Sequence, residues 1–199
     1  MSLTTVLGGG SWTCEKCGRM IIGTSIHHDC PSSNYRIPGF FKTKEELNNN
    51  TMKEYFEKNP ESKIYLDRLV NEWKQYGKII VATDFDSTIS PYHTLDNHAD
   101  INRVINVLKL VKEIGAYVII FTACNADRFD YIKDYCVTIG LEIDSINQTP
   151  IDIPYGKNGK VYANIFIDDR AGLNEALAIL EFASYIMRGS KNGGYNFDI

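Results

Sequence analysis

Two groups of residues in this chain have types and spacings that can do chemistry. In VATDFDSTIS, residues 81–90, Asp84 and Asp86 stand two apart where an apolar run stops, followed by Ser87 and Thr88. Side chains at i and i+2 of a strand share a face, so the two carboxylates are set side by side. Like charges there repel each other and resist burial, a cost that needs a compensating cation or proton. The second group is Cys14 and Cys17 in CEKCG, with HHDC ending at Cys30. Cys14, Cys17 and Cys30 with His27 (His28 stays open as the alternative) make a Cys3His donor set, the chemistry of a structural, tetrahedral Zn2+ site. Such a site stabilises a segment too small for its own core.

Further polar residues close other apolar runs. Thr122 follows YVIIF, and Asp168 and Asp169 follow NIFI. Lys160 lies shortly before that last run, and Asn147 ends EIDSIN. Carboxylates from two strands meeting at one edge suit Mg2+, a hard cation that prefers oxygen ligands. A carboxylate can then attack a phosphoryl group, with a lysine and a threonine hydroxyl holding the phosphoryl oxygens. A second acid close by can protonate the leaving oxygen and later activate water.

These residues must be positioned by strands and helices in alternation. KIIVATDF, AYVIIFT, EIDSIN and VYANIFID read as strands. Amphipathic stretches lie between and after them: one with Ile101, Val104, Ile105, Leu108 and Val111 on one face, one over about 126–139, and one from Gly172 to Met187. Asp100 is the expected N-cap of the first, and Gly115 and Gly140 fit helix ends. Apolar strands alternating with such helices predict an α/β, Rossmann-like parallel sheet with helices on both faces. In such sheets the site lies beyond the carboxyl ends of the strands, at a topological switch point.

DFDST (84–88), Thr122 closing a strand, a lysine upstream, and FIDD (166–169) occur in this order over roughly residues 78–188. In this the chain resembles the haloacid dehalogenase superfamily of phosphohydrolases. The resemblance implies that Asp84 is the nucleophile and a Mg2+ ligand. Asp86 would be the general acid/base, its backbone carbonyl on the metal. Thr122 and Lys160 would bind the phosphoryl group, with Lys157 open as the alternative lysine. Asp168 would ligate Mg2+, aided by Asp169. One departure stands out: the family usually has Gly where this chain has Ser87. Ser87, Thr88 and Asn147 are the expected substrate-side residues. Arg128 either reaches a substrate phosphate or lies on the surface.

The remaining divisions follow from composition. Residues 1–39 form the expected zinc-binding segment, 40–77 a helical linker opened by a Thr43/Glu46 capping box, 78–188 the phosphatase-like domain, and 189–199 a flexible tail. Between the motifs there is no room for a bulky cap, so the site is expected to be open. Residues 1–78 carry 11 Lys/Arg against 9 Asp/Glu, and residues 79–199 carry 10 against 16. With no basic stripe, broad electrostatic capture of nucleic acid is not expected. No apolar run reaches the roughly 20 residues of a membrane helix, and no secretory signal opens the chain, so a cytoplasmic protein is expected. The expected function is hydrolysis of a phosphate monoester, either a nucleotide or small metabolite or the phosphorylated end of a nucleic acid. The zinc segment would contact a protein or nucleic acid. The other reading is a non-catalytic binding module on the same scaffold.

Overall fold

The computed structural model describes residues 11–13, 20–22, 49–94, 96–153 and 159–191. Two short strands come first, β1 (Ser11–Thr13) and β2 (Met20–Ile22), antiparallel with Thr13 opposite Met20. The helices α1 (Asn49–Lys58) and α2 (Pro60–Tyr76) follow. The α/β unit then runs β3 (Ile80–Thr83), α3 (His98–Glu113), β4 (Tyr117–Ile120), a 3-10 turn (Ala126–Arg128), α4 (Phe129–Thr138), β5 (Ser145–Ile146), β6 (Ile165–Ile167) and α5 (Leu173–Lys191). The expected Cys14, Cys17, His27, His28 and Cys30, the Thr43/Glu46 capping box, Lys157 and the tail from residue 192 lie outside the described residues.

Strands β3 to β6 form one sheet in the order β5-β4-β3-β6, every pair parallel. The fold is α/β and Rossmann-like. From β3 the chain steps outward through α3 to β4 and through α4 to β5, then returns past both to lay β6 on the other side of β3. Right-handed crossovers require the outward steps to cover one face and the return to cover the opposite face. The apolar contacts agree. Val81, Val118, Ile120 and Ile167 of the sheet share a core with Leu108 of α3, Ile132 of α4 and Phe182 of α5. Ile80, Ala82 and Ile119, on the other face, cluster with Val161, flanked by Tyr117, Tyr162 and Ala163. The return connection, residues 147–164, has no helix in its described part.

Residues 49–76 are more than a linker. Met52, Phe56, Leu66, Leu69 and Trp73 are buried in the main core, and Phe56 packs against Phe182 with centroids 5.4 Å apart. The same helical spacing that predicts α2 gives it an apolar stripe, and α5 is where that stripe is covered. Asn164 ties α2 to the sheet: its Oδ1 accepts from Ile80 N at 2.8 Å, and its Nδ2 donates to Glu72 Oε2 at 2.7 Å. Gly77 ends α2 with φ 73°, the left-handed cap that glycine adopts without penalty. Helix α3 starts earlier than expected. Asn97, not Asp100, is the N-cap, its Oδ1 accepting from Ala99 N at 3.0 Å. No helix among the described residues is long and apolar enough to cross a membrane.

Candidate active site

The switch point falls beside β3, whose neighbours β4 and β6 are reached in opposite directions. Beyond their carboxyl ends lie Asp84 and Asp86, Thr122, and Asp168 and Asp169. Asp84 N donates to Ile167 O at 2.9 Å, so pairing with β6 continues to the first carboxylate. Burial pushes the Asp84 carboxyl up to about 6, and the charges of Asp168, Asp169 and Asp86 push the same way, against a hydrogen bond from the Phe85 amide. The proximity read from the sequence is thus felt electrostatically at Asp84.

A tight turn holds Asp86. Phe85 and Ile89 are fully buried, and the amides of Ile89 and Ser90 both donate to Phe85 O, at 3.1 and 2.9 Å. To close that turn Ser87 takes φ 63°, a left-handed conformation that glycine adopts freely and a β-carbon resists. This accounts physically for a glycine preference at the position. Ser87 meets it differently: its hydroxyl donates to Asp96 Oδ2 at 3.0 Å. The same oxygen accepts from Tyr92 N at 2.6 Å and His93 N at 2.7 Å, so Asp96 ties Ser87 to the backbone at residues 92 and 93.

Two residues expected on the substrate side have other engagements. Thr88 is buried, and its hydroxyl accepts from Asp169 N at 3.1 Å, binding the loop after β3 to the loop after β6. Asn147 clamps the backbone of Thr122: Oδ1 accepts from Thr122 N at 2.8 Å and Nδ2 donates to Thr122 O at 2.7 Å. It does so at φ 52°, a region asparagine tolerates better than most residues. Both act by positioning. The Thr122 hydroxyl accepts from Cys124 N at 3.3 Å, which leaves its own proton to donate. Asp168 Oδ1 accepts from Arg170 N at 2.7 Å.

Lys160 is exposed, and among the described residues no ion pair joins it to these carboxylates. The cation that does touch them is Arg128. Its Nη1 donates to Asp86 Oδ2 at 2.5 Å and its Nη2 to Asp86 Oδ1 at 2.6 Å. The guanidinium carbon also lies 5.4 Å from the Phe85 ring centroid, 5.7 Å from Tyr131 and 5.9 Å from Tyr92. Sequence reading left Arg128 undecided because its partner is 42 positions away. Its place on the first turn after β4 was the available signal.

Among the described residues no three His, Cys, Asp or Glu side chains gather closely enough to hold an ion. Magnesium does not require that many, since it is usually held by one or two carboxylates together with water and substrate phosphate. The resemblance would place the carboxylates of Asp84 and Asp168 with the Asp86 carbonyl in such a set. Their surplus negative charge, felt at Asp84, fits such an ion.

No family model matches the chain, and no curated protein matches it. A solved structure, that of the conserved protein coded by locus from Bacteroides thetaiotaomicron, is similar at a TM-score of 0.42 and 24% identity, over 59% of this chain and 93% of that one. The fold assignment stands on the strand order itself.

Proposed function

We propose that this chain is a Mg2+-dependent phosphomonoester hydrolase of the haloacid dehalogenase type, working through an aspartyl-phosphate on Asp84. The observation that carries this reading is Asp84 itself, set at the carboxyl end of the central strand, its carboxyl raised to about 6 by burial and by three neighbouring aspartates. A fold keeps such a surplus of negative charge where something positive is to be bound.

Asp84 and Asp168, with the Asp86 carbonyl, would hold Mg2+, which would neutralise the incoming phosphate against the carboxylates. Asp84 Oδ attacks phosphorus as the bond to the leaving oxygen breaks. Asp86 gives that oxygen its proton, and the alcohol departs. Asp86 then takes a proton from water as the water oxygen attacks phosphorus, which breaks the acyl-phosphate bond and releases inorganic phosphate. The Thr122 hydroxyl, oriented through the Asn147 clamp, donates to a phosphoryl oxygen. Lys160 would supply the remaining charge. In an extended chain the four steps back from Asn164, beside Ile80, span up to about 13 Å, roughly the length of β3.

The substrate is a nucleotide or small metabolite, or a phosphorylated nucleic-acid end. The cysteine-rich segment would carry a structural Zn2+ on Cys14, Cys17, Cys30 and His27 or His28. It is supported by the hairpin of β1 and β2, whose ends flank the Cys-x-x-Cys stretch. One observation favours a second reading, a non-catalytic binding module: the proposed acid/base, Asp86, has both oxygens engaged by Arg128.

A single assay separates the two. The wild-type protein with Mg2+ should hydrolyse an aryl phosphate, and Asp84→Asn should lose roughly 10³-fold or more of that rate. Absence of turnover on aryl, alkyl and nucleoside monophosphates alike would leave only the binding module.

A further inference from the structure

Arg128 faces two ways. On one side its fork closes on Asp86; on the other it lines an open pocket of about 530 Å³ with Ala123, Cys124, Asn125, Asp127 and Tyr131. That volume lies within the range of small-molecule sites. Its side chain is about one-third exposed, so the pair with Asp86 is not sealed in the core. Three rings, Phe85, Tyr92 and Tyr131, attract the guanidinium through their faces and hold it beside the pocket.

We propose that Arg128 forms a subsite for a second anionic group, a carboxylate or phosphate, on the leaving portion of the substrate. This rests on the phosphatase reading above. An acid that protonates the leaving oxygen must touch it, so a cation bound to that acid lies beside whatever the leaving oxygen carries. A guanidinium binds carboxylate and phosphate alike with parallel N–H donors. When the second anion enters the pocket, Arg128 exchanges one anionic partner for another while the rings keep hold of it. Asp86 is thereby released to face the leaving oxygen. Binding at a group remote from phosphorus in this way frees the residue that must touch the leaving oxygen, which affects turnover as well as affinity.

The test compares phosphoglycolate, which carries a carboxylate, and 1,3-propanediol bisphosphate, which carries a phosphate, with ethyl phosphate, which carries neither. All three leave as alkyl alcohols. In wild type with Mg2+ both two-anion substrates, or one of them, should have the higher kcat/KM, and the better arm identifies the anion. In Arg128→Gln the ratio of two-anion to one-anion kcat/KM should fall roughly 10- to 100-fold, the range of a charge-assisted hydrogen bond. Arg128→Lys keeps the charge but not the fork; it should give an intermediate ratio and serves if the Gln variant does not fold. An unchanged ratio would overturn the subsite, since a merely structural arginine would slow all three substrates together. If wild type hydrolyses none of them and no aryl or nucleoside monophosphate either, the phosphatase reading fails and binding decides. Calorimetric titration of Asp84→Asn with phosphoglycolate should then show affinity that the added Arg128→Gln change weakens tenfold or more, and equal affinities would overturn the subsite.

Discussion

Two arginine–aspartate or arginine–glutamate forks stand among the described residues, and they are built for different ends. Arg103 of α3 meets Glu181 of α5 at 2.8 and 2.6 Å, with side chains only 5% and 9% exposed. Arg128 meets Asp86 at 2.5 and 2.6 Å, with side chains 32% and 27% exposed. The first is a matched pair in an apolar core. Burial raises the Glu181 carboxyl, and Arg103 opposes that with hydrogen bonds and charge. The second is one cation among four aspartates, so pairing there leaves negative charge over. A balanced pair fixes helix on helix; an unbalanced one leaves charge for a ligand to meet, as the proposed function requires.

The largest effect should come from unbalancing the core pair. Arg103→Leu leaves a buried carboxylate without its partner and should lower unfolding stability by about 3–5 kcal/mol in a urea titration. Replacing both residues, Arg103→Leu with Glu181→Leu, should recover much of the loss. If the single change costs no more than a surface substitution, the core pair is not the matched unit described.

How far this contrast was readable in the sequence depends on separation along the chain. The strands, most helices and the order of the acidic motifs were legible because apolar periodicity and local spacing report them. Asp84, Asp168 and Asp169 follow from where the strands end. The forks were not legible, since Arg103 and Glu181 are 78 positions apart and Arg128 and Asp86 are 42 apart. Thr88 and Asn147 were seen as polar residues near the site, but their orientation depends on tertiary hydrogen bonds that no local pattern encodes. The helical pair within residues 49–76 was legible, but amphipathicity says that a face is buried without saying against what.

A smaller effect tests how the turn beneath Asp86 tolerates a side chain. Ser87→Ala keeps the left-handed strain and loses the bond to Asp96, so stability should fall by about 0.5–1.5 kcal/mol. Ser87→Gly loses that bond but relieves about 1–2 kcal/mol of strain. It should therefore be the more stable of the two variants by chemical denaturation. The reverse order would contradict the account of the turn.

The smallest effect concerns a third way of balancing charge, by donors and not by a cation. Burial alone would raise the Asp96 carboxyl, yet the amides of His93 and Tyr92 and the Ser87 hydroxyl outweigh it and hold the group below its ordinary value. With the folded value below the unfolded one, Asp96 contributes stability above about pH 4. That contribution is lost as pH falls through the folded value. Asp96→Asn should therefore flatten the acid limb of the stability–pH curve, and an unaltered limb would show that the three donors do not favour the charged form.

The surplus charge at the sheet edge is the claim on which the functional reading stands, and thermal melting with and without Mg2+ at neutral pH tests it most directly. Without the ion, Asp84→Asn should melt above wild type, because it removes one of the repelling half-buried carboxylates while keeping the shape. Added Mg2+ should raise the melting temperature of wild type and leave the Asn variant nearly unmoved. If Asp84→Asn instead melts below wild type, and Mg2+ shifts both proteins equally or neither, the carboxylates at this edge are structural and no cation site lies there.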